Sequence, residues 1–469
     1  MKLKFVNRLS AKKIGLSFFV VIFIALGLYY TLHETMFFRP QSTHVWRQAD
    51  CLALTQNYYQ LNNSFWDPEI HNQLSDEDLT GKTAGEFPLL YYSVAQLWKL
   101  IGKSEFAYRL VVLLISFTGL LFVFKFSQEV LNNNYQAIFV SLGVFTSTAY
   151  VYYSANFLPN IPALSLVFIG CYFIWKFYEN DKNIYLWLSM LFFCLGILLK
   201  ISAGIGFIAL MGWIFIEFFI KKENRILFKK PLQQLMPFFV VITVVFAWYL
   251  YADYYNRIHD GKYTFNSVWP IWEIQKEKVW EIIERARILT IPAFFHNSML
   301  YVTGAMWLFL LSTLKKRSLF LNYLLIIIPF GSVMYALMWF QALDYHDYYY
   351  IDFYINFILI WILFFKTIVD YNWSKHWIFN FIIIGFLIYN AFECERVLNS
   401  RYTGWRNAHY INHLKTVGEL DNVFEGLGID PYDKVISIPD KSINVSLYLM
   451  NRRGFTNYNS RFDKPGTYQ

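Results

Sequence analysis

The stretch IGLSFFVVIFIALGLYYTL, residues 14–32, contains no charged side chain. About 20 apolar residues in a row suffice to cross a bilayer as a helix, so this run reads as a membrane span. It follows MKLKFVNRLSAKK, residues 1–13, whose Lys and Arg side chains mark a cytoplasmic flank. The apolar core is too long for a signal peptide and no small-residue cleavage site follows it, so the segment is expected to stay as the first membrane helix.

The same pattern recurs outward along the chain. Apolar runs lie near 107–128, 135–154, 160–178, 184–200, 203–220, 233–252, 295–313, 318–340, 351–369 and 376–393. With the first run these make about eleven transmembrane helices, and the fold class expected is an all-α polytopic membrane protein. Composition agrees: of 469 residues, 56% are hydrophobic and 16% charged, against about 25% charged in soluble domains. Two separators are slight, LLKISAGIG around Lys200 and YNWSK at 371–375.

The net charge of +8 does not point to nucleic acid, because the basic residues gather between apolar runs, at KKENRILFKK (221–230) and KKR (315–317). Alternating the spans from a cytoplasmic N-terminus puts both clusters inside, as the charge rule requires, and attraction to anionic lipid is a sufficient use for them. Cys51, Cys171, Cys194 and Cys394 have neither disulfide-framework nor metal-ligand spacing.

The same alternation assigns a long first loop (33–106), shorter loops and everything beyond 394 to the outer face. The expected organisation is a transmembrane domain over 1–393 and a small soluble tail over 394–469. The first loop carries two helical patterns, near 46–61 and 88–101, expected to lie along the membrane surface. The tail reads strand, turn, helix, strand, as in a small, incomplete α/β unit.

Ionisable groups near a membrane are functional suspects, and here they collect on the predicted outer side. THVWRQADCLALTQNYYQ (43–60) presents His44, Arg47 and Asp50 at three-residue spacing, on one side of a helix. Glu86 precedes Pro88 in GEFPLLYY, Lys200 closes an apolar run, and Asn160 opens another in NFLPNIPAL. Asp344, His346 and Asp347 stand in LDYHDYYYIDFY together with Tyr349. Arg and Lys can hold a phosphate, a buried carboxylate can serve as general base toward an alcohol, and a His with a carboxylate can share a divalent metal. Each residue also has an ordinary use: Arg47 and Asp50 as a surface pair, Glu86 beside a helix start, Lys200 snorkelling to the interface, His346 in an aromatic belt, Asn160 as a helix cap.

The order of these features resembles the GT-C glycosyltransferases, especially the dolichyl-phosphate-mannose protein mannosyltransferase-like family (family 39) and the lipid A aminoarabinose transferases. The most specific stretch is GEFPLLYYSVAQLWKLIGKSEFAYRL, residues 85–110, joined by WRQAD (46–50), LPNIP, LLK and HDYYY. The resemblance covers about residues 14–365 and implies an inverting transfer of a sugar from a polyprenyl-phosphate donor to an acceptor hydroxyl outside the cytoplasm. The resemblance further implies an acceptor that is a glycan, lipid or protein, and a setting in the cell envelope, at a bacterial inner membrane. By the same resemblance Glu86 matches the second acidic position, Arg47 an arginine near the donor phosphate, and His346 a late histidine near that phosphate or a metal. Two positions depart from the pattern. His44 stands where the first acidic residue is usual, and Asn160 replaces the Asp of the D-x-P motif and cannot act as a base.

The expected centre therefore has Asp50, ahead of Glu86, as catalytic base. His44, Arg47, Lys200, His346, Tyr349 and Asn160 would bind the donor phosphate and substrate. No cofactor is required; Glu86 and His346 are the candidates to hold a divalent metal (Mg, Mn or Zn). The alternative is a transporter or flippase of a lipid-linked sugar, which would favour internal repeats and midplane charges, whereas the charges here collect at one face beside a long loop.

Overall fold

The computed structural model describes residues 2–220, 225–261, 268–369 and 376–463. Residues 221–224 of the first basic loop and the YNWSK separator lie outside the described residues. Within them, eight helices are long and apolar enough to cross a membrane, or up to ten if each of two bent helix pairs is one span. The shorter apolar helix Asn183–Leu199, of 17 residues, brings the tally to eleven, and each apolar run read from the sequence falls on one of these elements. The chain is an all-α polytopic membrane protein.

Small residues set how closely the helices approach. Asn160–Asn180 packs against Asn183–Leu199 on one side and Glu105–Leu131 on the other. At Gly119 an added Cβ would lie 2.6 Å from the Ser165 Cβ, and at Gly196 it would lie 3.0 Å from the Ala163 carbonyl. Helices in lipid associate through such close backbone contact, because no water is expelled to drive them together.

The run at 135–154, expected as one span, is bent by 75° between Asn134–Val144 and Thr148–Ser154. Hydroxyls replace the helix ladder at the break. Thr146 donates to the Gly143 carbonyl at 2.7 Å, and Ser147 accepts from the Tyr150 amide while also contacting the Phe294 carbonyl and the Tyr354 hydroxyl. Backbone groups freed in a membrane persist only when rebonded in this way. The run at 295–313 is the helix Asn297–Ser312, which meets the preceding helix Lys276–Phe294 at 90°.

The first loop departs from its expected placement. Its two helices form, as Val45–Gln60 and Leu89–Ile101, but the first is no surface helix. Every residue from Arg47 to Tyr58 is buried, because Leu89–Ile101 and the C-terminal segment pack onto it. That segment forms strand β1 (Lys434–Ser437), a short helix Val445–Leu449 and strand β2 (Arg453–Thr456), the strands being parallel. Strand β2 also bonds the first loop: the Gly454 amide donates to the His71 carbonyl at 3.2 Å, and the Gln73 amide donates to the Gly454 carbonyl at 2.8 Å. Gly454 has φ +143°, and a Cβ there would fall 2.0 Å from the Val435 carbonyl oxygen, so only glycine fits. Arg453 pairs with Glu69 at 2.8 Å across the same junction.

Candidate active site at the loop end of the bundle

Glu86 is placed by its neighbours in sequence. The Phe87 amide donates to the Leu198 carbonyl at 3.0 Å, and the Trp248 indole donates to the Gly85 carbonyl at 3.0 Å. These bonds pin the GEFP segment to the end of Asn183–Leu199. That helix stops at Lys200, whose extended backbone separates it from a 3-10 turn, Ile201–Gly204. The break aims the ammonium back toward the loop, and Lys200 Nζ lies 3.4 Å from Glu86 Oε1.

Arg47, in the first turn of Val45–Gln60, ion-pairs with Glu86 Oε2, and the Tyr91 hydroxyl donates to the same oxygen at 3.1 Å. Three elements thus converge on one buried carboxylate. Burial alone would raise the Glu86 pKa, but Arg47 and then Lys200 outweigh it and hold the carboxyl below its ordinary value. Glu86 is therefore a stable counter-ion for two cations and a poor proton acceptor.

Lys200 Nζ also sits 5.0 Å from the centroid of the Tyr349 ring, which leads to the HDYYY motif. Here His346 contacts the Ala342 carbonyl through Nδ1 at 3.0 Å. A carbonyl only accepts, so Nδ1 carries the proton and Nε2 the lone pair. Burial, aided by His44, pushes the His346 pKa down to about 4, so the ring is neutral at pH 7. The His44 ring stacks on it at 5.3 Å.

His44 is the residue before Val45–Gln60 and has φ +58°, a left-handed conformation uncommon outside glycine and found enriched at active sites. Its Nε2 lies 3.2 Å from Asp347 Oδ1. Asp347 is in turn held by Arg401, at 2.5 Å to Oδ2, and by the Tyr153 hydroxyl, at 2.5 Å to Oδ1. His44 thus stands within ion-pair distance of a carboxylate that a buried arginine fixes.

Asp50 lies one turn beyond Arg47, and both are buried, at 2% and 7% exposure, so they are not a solvent-facing pair. Asp50 Oδ1 accepts from Asn444 Nδ2 at 2.7 Å, and the Tyr348 hydroxyl lies within electrostatic reach of Asp50, Glu86 and Arg47 together. The amide of Asn160, buried, donates to the Tyr348 carbonyl at 3.2 Å. Its side chain fixes the turn that carries Tyr348 and Tyr349.

The Glu86–His346 pair does not suit a metal. Both Glu86 oxygens already face donors from Arg47, Lys200 and Tyr91. Among the described residues no group of three or more His, Cys, Asp or Glu side chains gathers as ligands would.

Several residues of this region gave no signal in the sequence. Arg401 and Asn444 lie in the tail, 54 residues from Asp347 and 394 from Asp50, and Arg285 pairs with Asp344 at 2.6 Å from a helix read as outer loop. Asp352, 2% exposed and facing Lys200 and Ser202, has no hydrogen-bond partner on either oxygen among the described residues. It was legible only as one more acid in an acidic, tyrosine-rich stretch. Arg109 of the EFAYRL motif is structural: it donates to the carbonyls of Phe38 at 3.1 Å and Ala155 at 2.6 Å, joining the first loop to the bundle. An apolar cavity of about 150 Å³ opens between the helices, lined by Phe168, Cys171, Leu210, Leu324, Ile355 and Leu359 among others.

Residues 85–251 match the family model described as dolichyl-phosphate-mannose-protein mannosyltransferase. No curated protein matches the chain in sequence. Among solved structures it is similar to ArnT from Cupriavidus metallidurans in the apo state, with a TM-score of 0.58 at 10% identity over 95% of this chain and 86% of that one. ArnT from the same organism bound to undecaprenyl phosphate gives a TM-score of 0.53 at 10% identity, covering 93% of this chain and 85% of that one. The Archaeoglobus fulgidus oligosaccharyltransferase tethered to an acceptor peptide gives 0.54 at 11% identity, covering 94% of this chain and 64% of that one. The fold is therefore that of the GT-C glycosyltransferases, as the sequence resemblance implied.

Proposed function

We propose that this protein is a membrane glycosyltransferase that moves a sugar from a polyprenyl-phosphate donor to an acceptor hydroxyl, with inversion at the anomeric carbon. It works on the non-cytoplasmic face of a bacterial inner membrane, with its N-terminus inside. The basic segments at 1–13 and 315–317 support that orientation. The observation that carries the reading is the convergence of Arg47 and Lys200 on Glu86, at the end of the bundle covered by the first loop.

A buried arginine and a half-buried lysine drawn from separate elements suit a lipid phosphate, which Arg can grip with paired N–H groups. Glu86 keeps both in place before the donor arrives. The acceptor oxygen attacks the anomeric carbon, the bond from that carbon to the phosphate oxygen breaks, and its electron pair stays on the phosphate. Arg47 and Lys200 stabilise the charge that develops there, as preorganised donors do. His346, neutral and with Nε2 as an acceptor, contacts sugar hydroxyls. The lipid chain lies among helices, and the apolar cavity between them supports that path. A structure of similar fold is bound to undecaprenyl phosphate, which supports the same donor class here.

Asp50 receives the acceptor proton, being buried one turn from Arg47 and fixed by Asn444. A second reading rests on the 3.2 Å contact of His44 with Asp347, which makes His44 an alternative proton acceptor. The test is transfer by purified protein in lipid nanodiscs, supplied with polyprenyl-phosphate sugars and candidate acceptors. Wild type transfers sugar, and Asp50→Asn is expected to lose at least roughly 10²-fold in rate, the scale of general-base catalysis. Full transfer by Asp50→Asn with loss in His44→Ala would move the role to His44. Movement of donor across vesicles without any transfer would replace the enzyme by a flippase.

A further inference from the structure

Beside His44 the surface dips into a hollow of about 260 Å³, lined by Thr43, His44, Asp344, Tyr345, Asp347 and Trp405 among others. We infer that this hollow is an acceptor site for an uncharged, hydroxyl-rich sugar, an assignment that rests on the transferase reading above and names its acceptor class.

The rim is aromatic. Tyr345 and Trp405 are 60% and 74% exposed, so both rings present surface to the solvent beside the hollow. A flat ring with one polar edge and one C–H face suits such side chains, which offer an apolar face and a polar tip. The floor is polar and incompletely bonded. Asp344 has a side-chain exposure of 7%, and its Oδ1, like the Thr43 hydroxyl, has no hydrogen-bond partner among the described residues. A buried carboxylate oxygen left unbonded is costly, and a ligand hydroxyl would satisfy it.

Charge narrows the ligand further. Ionised carboxylates only accept hydrogen bonds, so Asp344 and Asp347 require a ligand that donates. The nearby cations are already engaged: Arg285 holds Asp344 Oδ2 at 2.6 Å, and Arg401 holds Asp347 Oδ2 at 2.5 Å. Among the described side chains, a phosphorylated or carboxylated ligand would meet acidic oxygens here with no unengaged cation to balance it. An ammonium is served little better, since Arg285 already lies 4.4 Å from the centroid of the Tyr345 ring. Neutral hydroxyls remain.

The hollow's size is just below the roughly 300 Å³ at which sites for drug-sized ligands begin, which suits one terminal sugar ring. His44 belongs to both regions: it lines the hollow and stacks on His346, next to the Tyr349–Lys200 contact. A sugar seated there brings a hydroxyl to the reaction centre.

The test uses full-length protein in detergent on arrays of immobilised neutral glycans, acidic glycans and Ser/Thr peptides. Binding of undecaprenyl phosphate is measured in parallel by native mass spectrometry. Wild type is expected to bind neutral glycans, with affinity falling roughly tenfold or more in Trp405→Ala and in Asp344→Asn, while undecaprenyl phosphate binding is unchanged. Size-exclusion elution checks the fold of both Trp405→Ala and Asp344→Asn. Wild-type binding to peptides or acidic glycans alone, to no array member, or equal binding by Trp405→Ala would overturn the assignment. Failure of wild type to bind undecaprenyl phosphate would strike the transferase reading instead.

Discussion

Asn444 in the C-terminal segment donates a 2.7 Å hydrogen bond to Asp50 on the first-loop helix, 394 positions earlier in the chain. The tail therefore reaches into the centre and fixes the orientation of an acidic side chain there. A hydrogen bond to a charged group contributes about 1.5–3 kcal/mol. Asn444→Ala is expected to lower the turnover number with little change in donor affinity. Asn444→Asp should lower it further, since it sets a second carboxyl beside the first. Steady-state kinetics of both variants check this, and undiminished turnover in both would remove Asn444 from the centre.

Glu86 holds two cations at once, so its loss should be costly. Removing one partner of a buried ion pair destabilises by about 3–5 kcal/mol, and Glu86→Ala is expected to lower the thermal midpoint accordingly. Lys200→Met placed in the same chain should recover part of that loss, because the two changes act on one network. Melting curves of the two single variants and the double variant decide it; simple additivity would mean that the Lys200 contact is incidental.

Stability should fall in mild acid. Burial pushes the pKa of His346 down to about 4 and that of His71 down to about 3, from an ordinary 6.5. Below pH 6.5 the unfolded chain takes up protons that the folded chain refuses, so the unfolded state gains. Stability is thus intact above 6.5 and declines as the pH drops toward 4, with the His71 share continuing to about 3. His346→Gln is expected to make the midpoint less sensitive to pH over that window. Identical pH profiles for variant and wild type would show that His346 titrates normally.

Close helix contact gives a test of the fold itself. Because a Cβ at Gly119 would sit 2.6 Å from the Ser165 Cβ, Gly119→Leu should force apart the helices Glu105–Leu131 and Asn160–Asn180. Overpacking of this kind costs about 1–3 kcal/mol and sometimes more. Gly304, which has nothing within 4 Å of the same hypothetical atom, is the control. Equal thermal midpoints for Gly119→Leu and Gly304→Leu would contradict the packing described.

Much of the architecture was already legible in the residues. Apolar runs such as 14–32 and 107–128 must become helices in lipid, because only a helix bonds its own backbone where no water can. The fold class and the positions of the spans follow from that single constraint. So does the segregation of Lys200 and His346 to one end, since each sits beside the end of an apolar run, while His44, Arg47 and Glu86 fall in the loop assigned to that face. Periodicity could not show the 75° bend near Ser147, which depends on a hydroxyl meeting Phe294 and Tyr354 from distant elements. Nor could it show that Val45–Gln60 is buried from Arg47 to Tyr58, because part of its cover arrives from the far end of the chain. Partner choice was equally hidden: Glu86 joins Arg47 and Lys200, Asp50 joins Asn444, and Asp347 joins His44 and Arg401. Local sequence settles which groups must leave the hydrocarbon; which of them then touch is decided by how the helices and the tail close over the loop.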